Sequence, residues 1–167
     1  MARDLIIADS ALITPRKVFG EEITILADHT QTGSYEIYVH DAPEGVGPPP
    51  HSHPWDEAFY VIEGKVDFVC GDVAKTVQSG GLVHVPAGTV HTFRYASPAR
   101  VLGITSGNGA AAMFTAIDRE CGGGARLGQG ARGGQASRCC STGSVALNCT
   151  NSIRLRLTQG DSREYDQ

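Results

Sequence analysis

The chain reads as an all-β protein, a sandwich or barrel of many short strands. Short runs rich in β-branched and aromatic residues fill the stretch from Glu22 to Ile117. Gly-containing turns separate them at short, even intervals. No convincing 12-residue amphipathic helical pattern appears before residue 108.

Taken in order, Glu22-Ile-Thr-Ile-Leu26 and Tyr35-Glu-Ile-Tyr-Val-His40 show partial alternation, the mark of a strand with one face inward. Ala58-Phe-Tyr-Val-Ile62 is a nearly continuous apolar run, which predicts a strand covered on both faces. Lys65–Cys70, Val73–Val77, Leu82–Val85, Thr92–Tyr95 and Arg100–Ile104 follow. Turns are expected at Glu63-Gly64, Cys70-Gly-Asp72, Ser79-Gly-Gly81 and Ala87-Gly88. The organisation expected is an N-terminal segment over 1–21, a barrel over 22–118 and an extension over 119–167.

Composition narrows the function classes. The 167 residues suffice for one domain with a proper core. No stretch approaches the roughly 18 apolar residues that cross a bilayer. The first residues lack a basic start followed by an apolar run, so neither a secretory signal nor a membrane partner is expected, and the location expected is cytoplasmic. Residues 1–120 carry 8 Lys/Arg against 15 Asp/Glu, a poor basis for binding nucleic acid. Residues 121–142 hold seven glycines, three arginines and no acid, a composition unable to bury much surface. Two accounts of the extension compete, a flexible tail and a C-terminus not under the folding constraint of the body. A strand is expected at Ser152–Leu157, which alternates cleanly. Of the five cysteines only Cys70 lies in the body, where a small buried hydrophobe is the plain reading. Cys139-Cys140 lack the CxxC spacing of a zinc knuckle.

The chemistry concentrates in two segments. In the first, His51 and His53 are two apart, so on a strand both imidazoles project to one face. Three residues then separate His53 from Glu57, enough for a bend that returns a carboxylate to the same point. In the second, Pro86-Ala-Gly88 makes a turn just before His91, at the start of the next strand. Three imidazoles and one carboxylate form a set suited to Fe(II), Mn(II), Ni(II), Cu(II), Co(II) or Zn(II), and ill suited to Ca or Mg. His29, His40 and His84 read as surface or satisfied core residues. Phe59, Tyr60, Phe68 and Phe93 read as barrel core, whereas Trp55 and Asp56 suit either loop packing or a pocket mouth. Arg94 and Tyr95 are undecided.

These segments resemble the paired signature of the cupin superfamily, G-x5-H-x-H-x3-E-x6-G followed by G-x5-P-x-G-x2-H-x3-N. Gly45, His51, His53, Glu57 and Gly64 fill the first half; Gly80, Pro86, Gly88 and His91 fill the second. Tyr95 stands where the pattern has Asn, a position that is not a ligand. The resemblance implies a double-stranded β-helix, or jelly-roll barrel, with one divalent transition metal held by His51, His53, Glu57 and His91. The wording around both segments is similar to small bacterial cupins described as quercetin-dioxygenase-like, in which the Glu is both ligand and base. That similarity implies Glu57 as the catalytic residue of a dioxygenase acting on a small enolic or phenolic, flavonol-like substrate with O2. Isomerase, cyclase or decarboxylase chemistry, or plain ligand binding, are the alternatives, because fold alone does not choose. A homodimer is expected by the same resemblance and by the need to cover sheet edges.

Overall fold

The computed structural model describes residues 4–121 together with the two-residue strand Ile153–Arg154. Eleven strands are assigned: β1 (Arg16–Val18), β2 (Glu21–Ala27), β3 (Tyr35–Ala42), β4 (His51–Ser52), β5 (Glu57–Glu63), β6 (Lys65–Cys70), β7 (Val73–Gln78), β8 (Leu82–Val85), β9 (His91–Tyr95), β10 (Ala99–Ser106) and β11 (Ile153–Arg154). They form a six-stranded sheet, β1-β2-β3-β10-β5-β8, and a five-stranded sheet, β11-β4-β9-β6-β7. Every pairing is antiparallel except β11 with β4. This is the jelly-roll architecture expected. The sheet begins at Arg16, ahead of the expected start at residue 22. Of the strand expected at Ser152–Leu157, only Ile153–Arg154 is described; Cys139, Cys140, Cys149 and the remainder of 122–167 lie outside the described residues.

Alternation along the strands builds the interior. Phe59, Val61, Val66, Phe68, Val85, Phe93, Tyr95 and Val101 form one buried cluster between the sheets. Strand β5 departs from expectation. Glu57, Phe59 and Val61 point inward, but Tyr60 and Ile62 are 42% and 41% exposed, so the apolar run is covered on one face only. Tyr60 faces Leu82 and Leu102 across the ladder, in an apolar row on the outside of the sheet rather than in the core.

Two helices complete the described fold: α1 (His29–Thr32) and α2 (Ala110–Cys121). Helix α1 is a single turn closed by an Asp28/Gln31 capping box and by Gly33 in the left-handed conformation. Helix α2 has no counterpart in the all-strand reading, and it crosses the 118/119 boundary expected between barrel and extension. Ala110, Met113, Phe114 and Ile117 share one face, which packs with Val18, Ile23, Tyr38 and Trp55 in a second buried cluster. Two carboxylates pin the helix. Glu36 Oε2 accepts from the Ala111 N–H at 3.0 Å, and Asp118 Oδ1 accepts from the Lys17 N–H at 3.0 Å. A buried acid at a helix N-terminus also meets the positive end of the helix dipole. Helix α2 thereby roofs the space between the sheets. Among the described residues, no helix is long and apolar enough to cross a membrane.

Candidate metal centre

Three backbone features bring the two motif segments together. His51 on β4 lies directly opposite His91 on β9. The Gly88 N–H donates to His53 O at 2.8 Å, and the Ala87 N–H donates to Asp56 Oδ1 at 2.9 Å. Asp56 is thus a tie between loops, not a pocket residue. A side chain at Gly47, whose φ is +149°, would meet Phe93 O at 2.1 Å, so only glycine lets the His51 segment lie this close to β9.

The imidazoles are fixed from behind. His51 Nδ1 lies 2.9 Å from Pro49 O, His53 Nδ1 2.8 Å from Trp55 O and His91 Nδ1 2.9 Å from Thr89 O. A carbonyl can only accept, so each Nδ1 carries the proton and each Nε2 is left to face a common centre. One ring nitrogen from each of the three lies within 4.8 Å of the others. Trp55 stacks flat on His53 at 4.7 Å between ring centres, which locks that ring. Glu57 Oε2 sits 2.9 Å from His53 Nε2 and 3.5 Å from His91 Nε2. Two ligands at about 2.1 Å from one metal and at right angles would be about 3.0 Å apart, so the pair is spaced as neighbours on a cation. His91 Nε2 is buried and has no hydrogen-bond partner. A partnerless lone pair, aimed with two others at a carboxylate, fits a divalent transition metal.

Electrostatics favour the ligating forms. Burial, helped by the neighbouring His91, lowers His51 from 6.5 to about 4, so its ring is neutral near pH 7. Burial opposes ionisation of Glu57, but the close contacts with His53 and His91 and the bond from the Tyr38 hydroxyl together hold its carboxyl well below the usual range. Tyr38 O–H donates to Glu57 Oε1 and so leaves Oε2 for the centre. Burial, then the charge of Glu57, pushes the Tyr38 hydroxyl well above 10, so it stays a donor.

A pH dependence of the metal-free protein follows. Below about 6.5 the unfolded chain protonates His51 while the folded one resists until about 4. Stability therefore falls as the pH drops across that window, by up to roughly 3 kcal/mol. The lowered Glu57 acts in the next window: its contribution is complete above 4.5 and is lost as the pH falls below that value. Urea unfolding of chelator-treated protein at several pH values checks this, and His51→Gln is expected to flatten the upper window only.

The four residues proposed from sequence thus converge. Phe59, Phe68 and Phe93 are core, as read. Cys70 is half-buried at the edge of the core, His29 Nδ1 pairs with Gly107 O, and His84 is exposed. Arg94 is exposed and donates to Gly45 O. His40 departs from its plain reading. It is 2% exposed, lines the same cavity as His51, His53 and Glu57, and leaves Nε2 unpartnered. Tyr38, Glu21 and His40 were not singled out as site residues, although alternation in β3 places Glu36, Tyr38 and His40 on one face. Polar residues recurring on the inward face of a barrel strand are the signal that finds them.

The cavity is about 40 Å³, room for roughly three waters. Its apolar walls include Phe59, Phe93, Met113 and Phe114.

Comparison with known proteins agrees with the architecture. Residues 37–105 match the cupin domain family. No curated protein sequence matches the chain. A predicted oxalate decarboxylase from Thermotoga maritima superposes with a TM-score of 0.56 at 16% identity, over 60% of this chain and 98% of that one. An RmlC-like cupin from Shewanella frigidimarina gives 0.56 at 17% identity, over 64% and 94%. A Bacillus subtilis oxalate decarboxylase with Mn(II) centres gives 0.57 at 16% identity, over 66% of this chain and 31% of that one. At these identities the likeness is one of fold.

Proposed function

From a cupin domain over residues 37–105, which the barrel fold supports, we propose a mononuclear metal-dependent oxygenase acting on a small enolic or phenolic substrate. One divalent transition metal is held by His51, His53, Glu57 and His91. The observation that carries this reading is the orientation of the donors: three imidazoles tied at Nδ1 and one carboxylate tied at Oε1 converge, and His51, His53 and Glu57 among them line one apolar-walled chamber. When bound, the metal supplies Lewis-acid charge and, if redox-active, access to O2 chemistry.

The protein's own groups supply the rest. The phenyl walls exclude water from the reacting atoms. Tyr38 holds Glu57 at Oε1, and Glu57 is the ligand able to release the centre at Oε2 and take the substrate hydroxyl's proton there. In the metal-free arrangement Glu57 is a weak base, because the imidazoles and the Tyr38 hydroxyl around it favour its charged form. At about 40 Å³ the chamber admits a one-ring substrate, a 1,3-diketone enol or a catechol, only if its walls give way, and a three-ring flavonol still less. The chamber suits equally a redox-neutral isomerisation or decarboxylation of a small molecule, which is the second reading.

Oxygen uptake by protein loaded separately with Fe, Mn, Ni, Cu or Co tests the proposal against diketones, catechols and flavonols. Consumption with one of the smaller substrates is expected, with kcat falling about 10²- to 10⁴-fold in Glu57→Gln. Silence from every loaded form overturns the oxygenase reading, and turnover under nitrogen selects the second.

A further inference from the structure

The cavity beside the metal centre ends on a second polar group that serves no metal. His40 Nδ1 lies 2.7 Å from Glu21 Oε2. The Tyr95 hydroxyl donates to that same oxygen at 2.6 Å. All three residues are at most 3% exposed. Burial, followed by the charge of Glu21, raises the Tyr95 hydroxyl well above 10, so Tyr95 stays a donor. Glu21 Oε2 is an acceptor twice over, which puts the imidazole proton on Nδ1 and the lone pair of a neutral ring on Nε2. Among the described residues, nothing answers that lone pair. Its surroundings are ring edges and faces: Tyr38, Phe59, Phe93 and Phe114 lie 5.2, 5.8, 6.2 and 6.3 Å away between centres.

We propose that His40 Nε2 is a ligand-binding group, which accepts a hydrogen bond from a hydroxyl of the small molecule held at the metal centre. A buried acceptor without a partner is costly, and an apolar side chain would fill this position at less cost. A carboxylate behind the ring and a tyrosine behind the carboxylate fix one tautomer and one orientation, which packing alone does not require. The class of ligand follows from the sign of the group. A carboxylate or phosphate would meet a lone pair with a negative charge behind it and be disfavoured. A neutral hydroxyl would be matched, and the aromatic walls suit a planar ring or enol carrying it. The ligand is therefore a small dioxygenated molecule, with one oxygen for the metal and a second, still protonated, for His40. This rests on the metal reading above for the first oxygen but not for the second.

Two measurements on zinc-loaded wild-type protein with ¹⁵N-labelled histidine test it. Long-range proton–nitrogen spectra are expected to show the His40 proton on Nδ1; a proton on Nε2 overturns the proposal. Addition of catechol is expected to shift the His40 Nε2 resonance, and 1,2-dimethoxybenzene, which has no hydroxyl, is expected to leave it in place. Movement of the His51, His53 and His91 signals with catechol while His40 stays still overturns the His40 assignment alone. A His40 response to catechol in protein that holds no zinc overturns the metal reading alone, and silence at all four histidines overturns both. His40→Leu is expected to bind catechol up to about tenfold more weakly, with zinc content unchanged; equal affinity counts against the proposal.

Discussion

Replacing His91 with alanine is expected to strip the protein of its metal. Binding free energies of about 10–16 kcal/mol for tight divalent sites, shared among four donors, assign roughly 3 kcal/mol to each. Loss of one therefore weakens binding on the order of a hundredfold or more. His91 is the sharpest choice because its Nε2 has no alternative partner among the described residues, and its backbone pairings with His51 and Cys70 do not need the side chain. The effect on stability should appear only with metal present, since a ligand saturating at about a thousand times its Kd adds about 4 kcal/mol. Thermal unfolding with and without chelator checks this: the wild type shifts and His91→Ala does not.

The second large effect is expected at Gly103, which looks unremarkable in sequence. Gly103 sits on β10 between Tyr38 of β3 and Phe59 of β5. A Cβ there would lie 2.2 Å from Tyr38 Cε2 and 2.7 Å from Cδ2. The Tyr38 ring passes over this backbone to reach Glu57, so Gly103→Ala must displace it. Overpacking costs about 1–3 kcal/mol, and loss of the hydrogen bond that orients a ligand weakens metal binding roughly 10- to 100-fold. Tyr38→Phe separates the two, losing affinity without the steric cost. Metal titration and urea unfolding of both variants check the pair.

Most of the barrel was legible because period-2 alternation and glycine turns are local signals. The donor set was legible for a similar reason: two positions apart in extended chain put His51 and His53 on one side, although the strand ends at Ser52, and Pro86-x-Gly88 turns the chain toward the strand that opens with His91. Three features escaped. An apolar run such as that of Tyr60 does not reveal whether its second face is covered; among the described residues, Leu82 and Tyr60 of the outer row are exposed and Leu102 is half-buried. Helix α2 was missed although Ala110, Met113, Phe114 and Ile117 follow helical spacing, because the pattern is brief and runs into a tail without periodicity. His40 escaped for a different reason. A histidine's role depends on what meets both ring nitrogens, and Glu21 and Tyr95 come from opposite ends of the barrel sequence.

The most direct test is elemental analysis of protein purified without an affinity tag or added metal, alongside His91→Ala prepared identically. Close to one transition-metal ion per wild-type chain, absent from the variant, is the expected result. Equal trace amounts in both would show that the three imidazoles and the carboxylate meet for some purpose other than holding a cation.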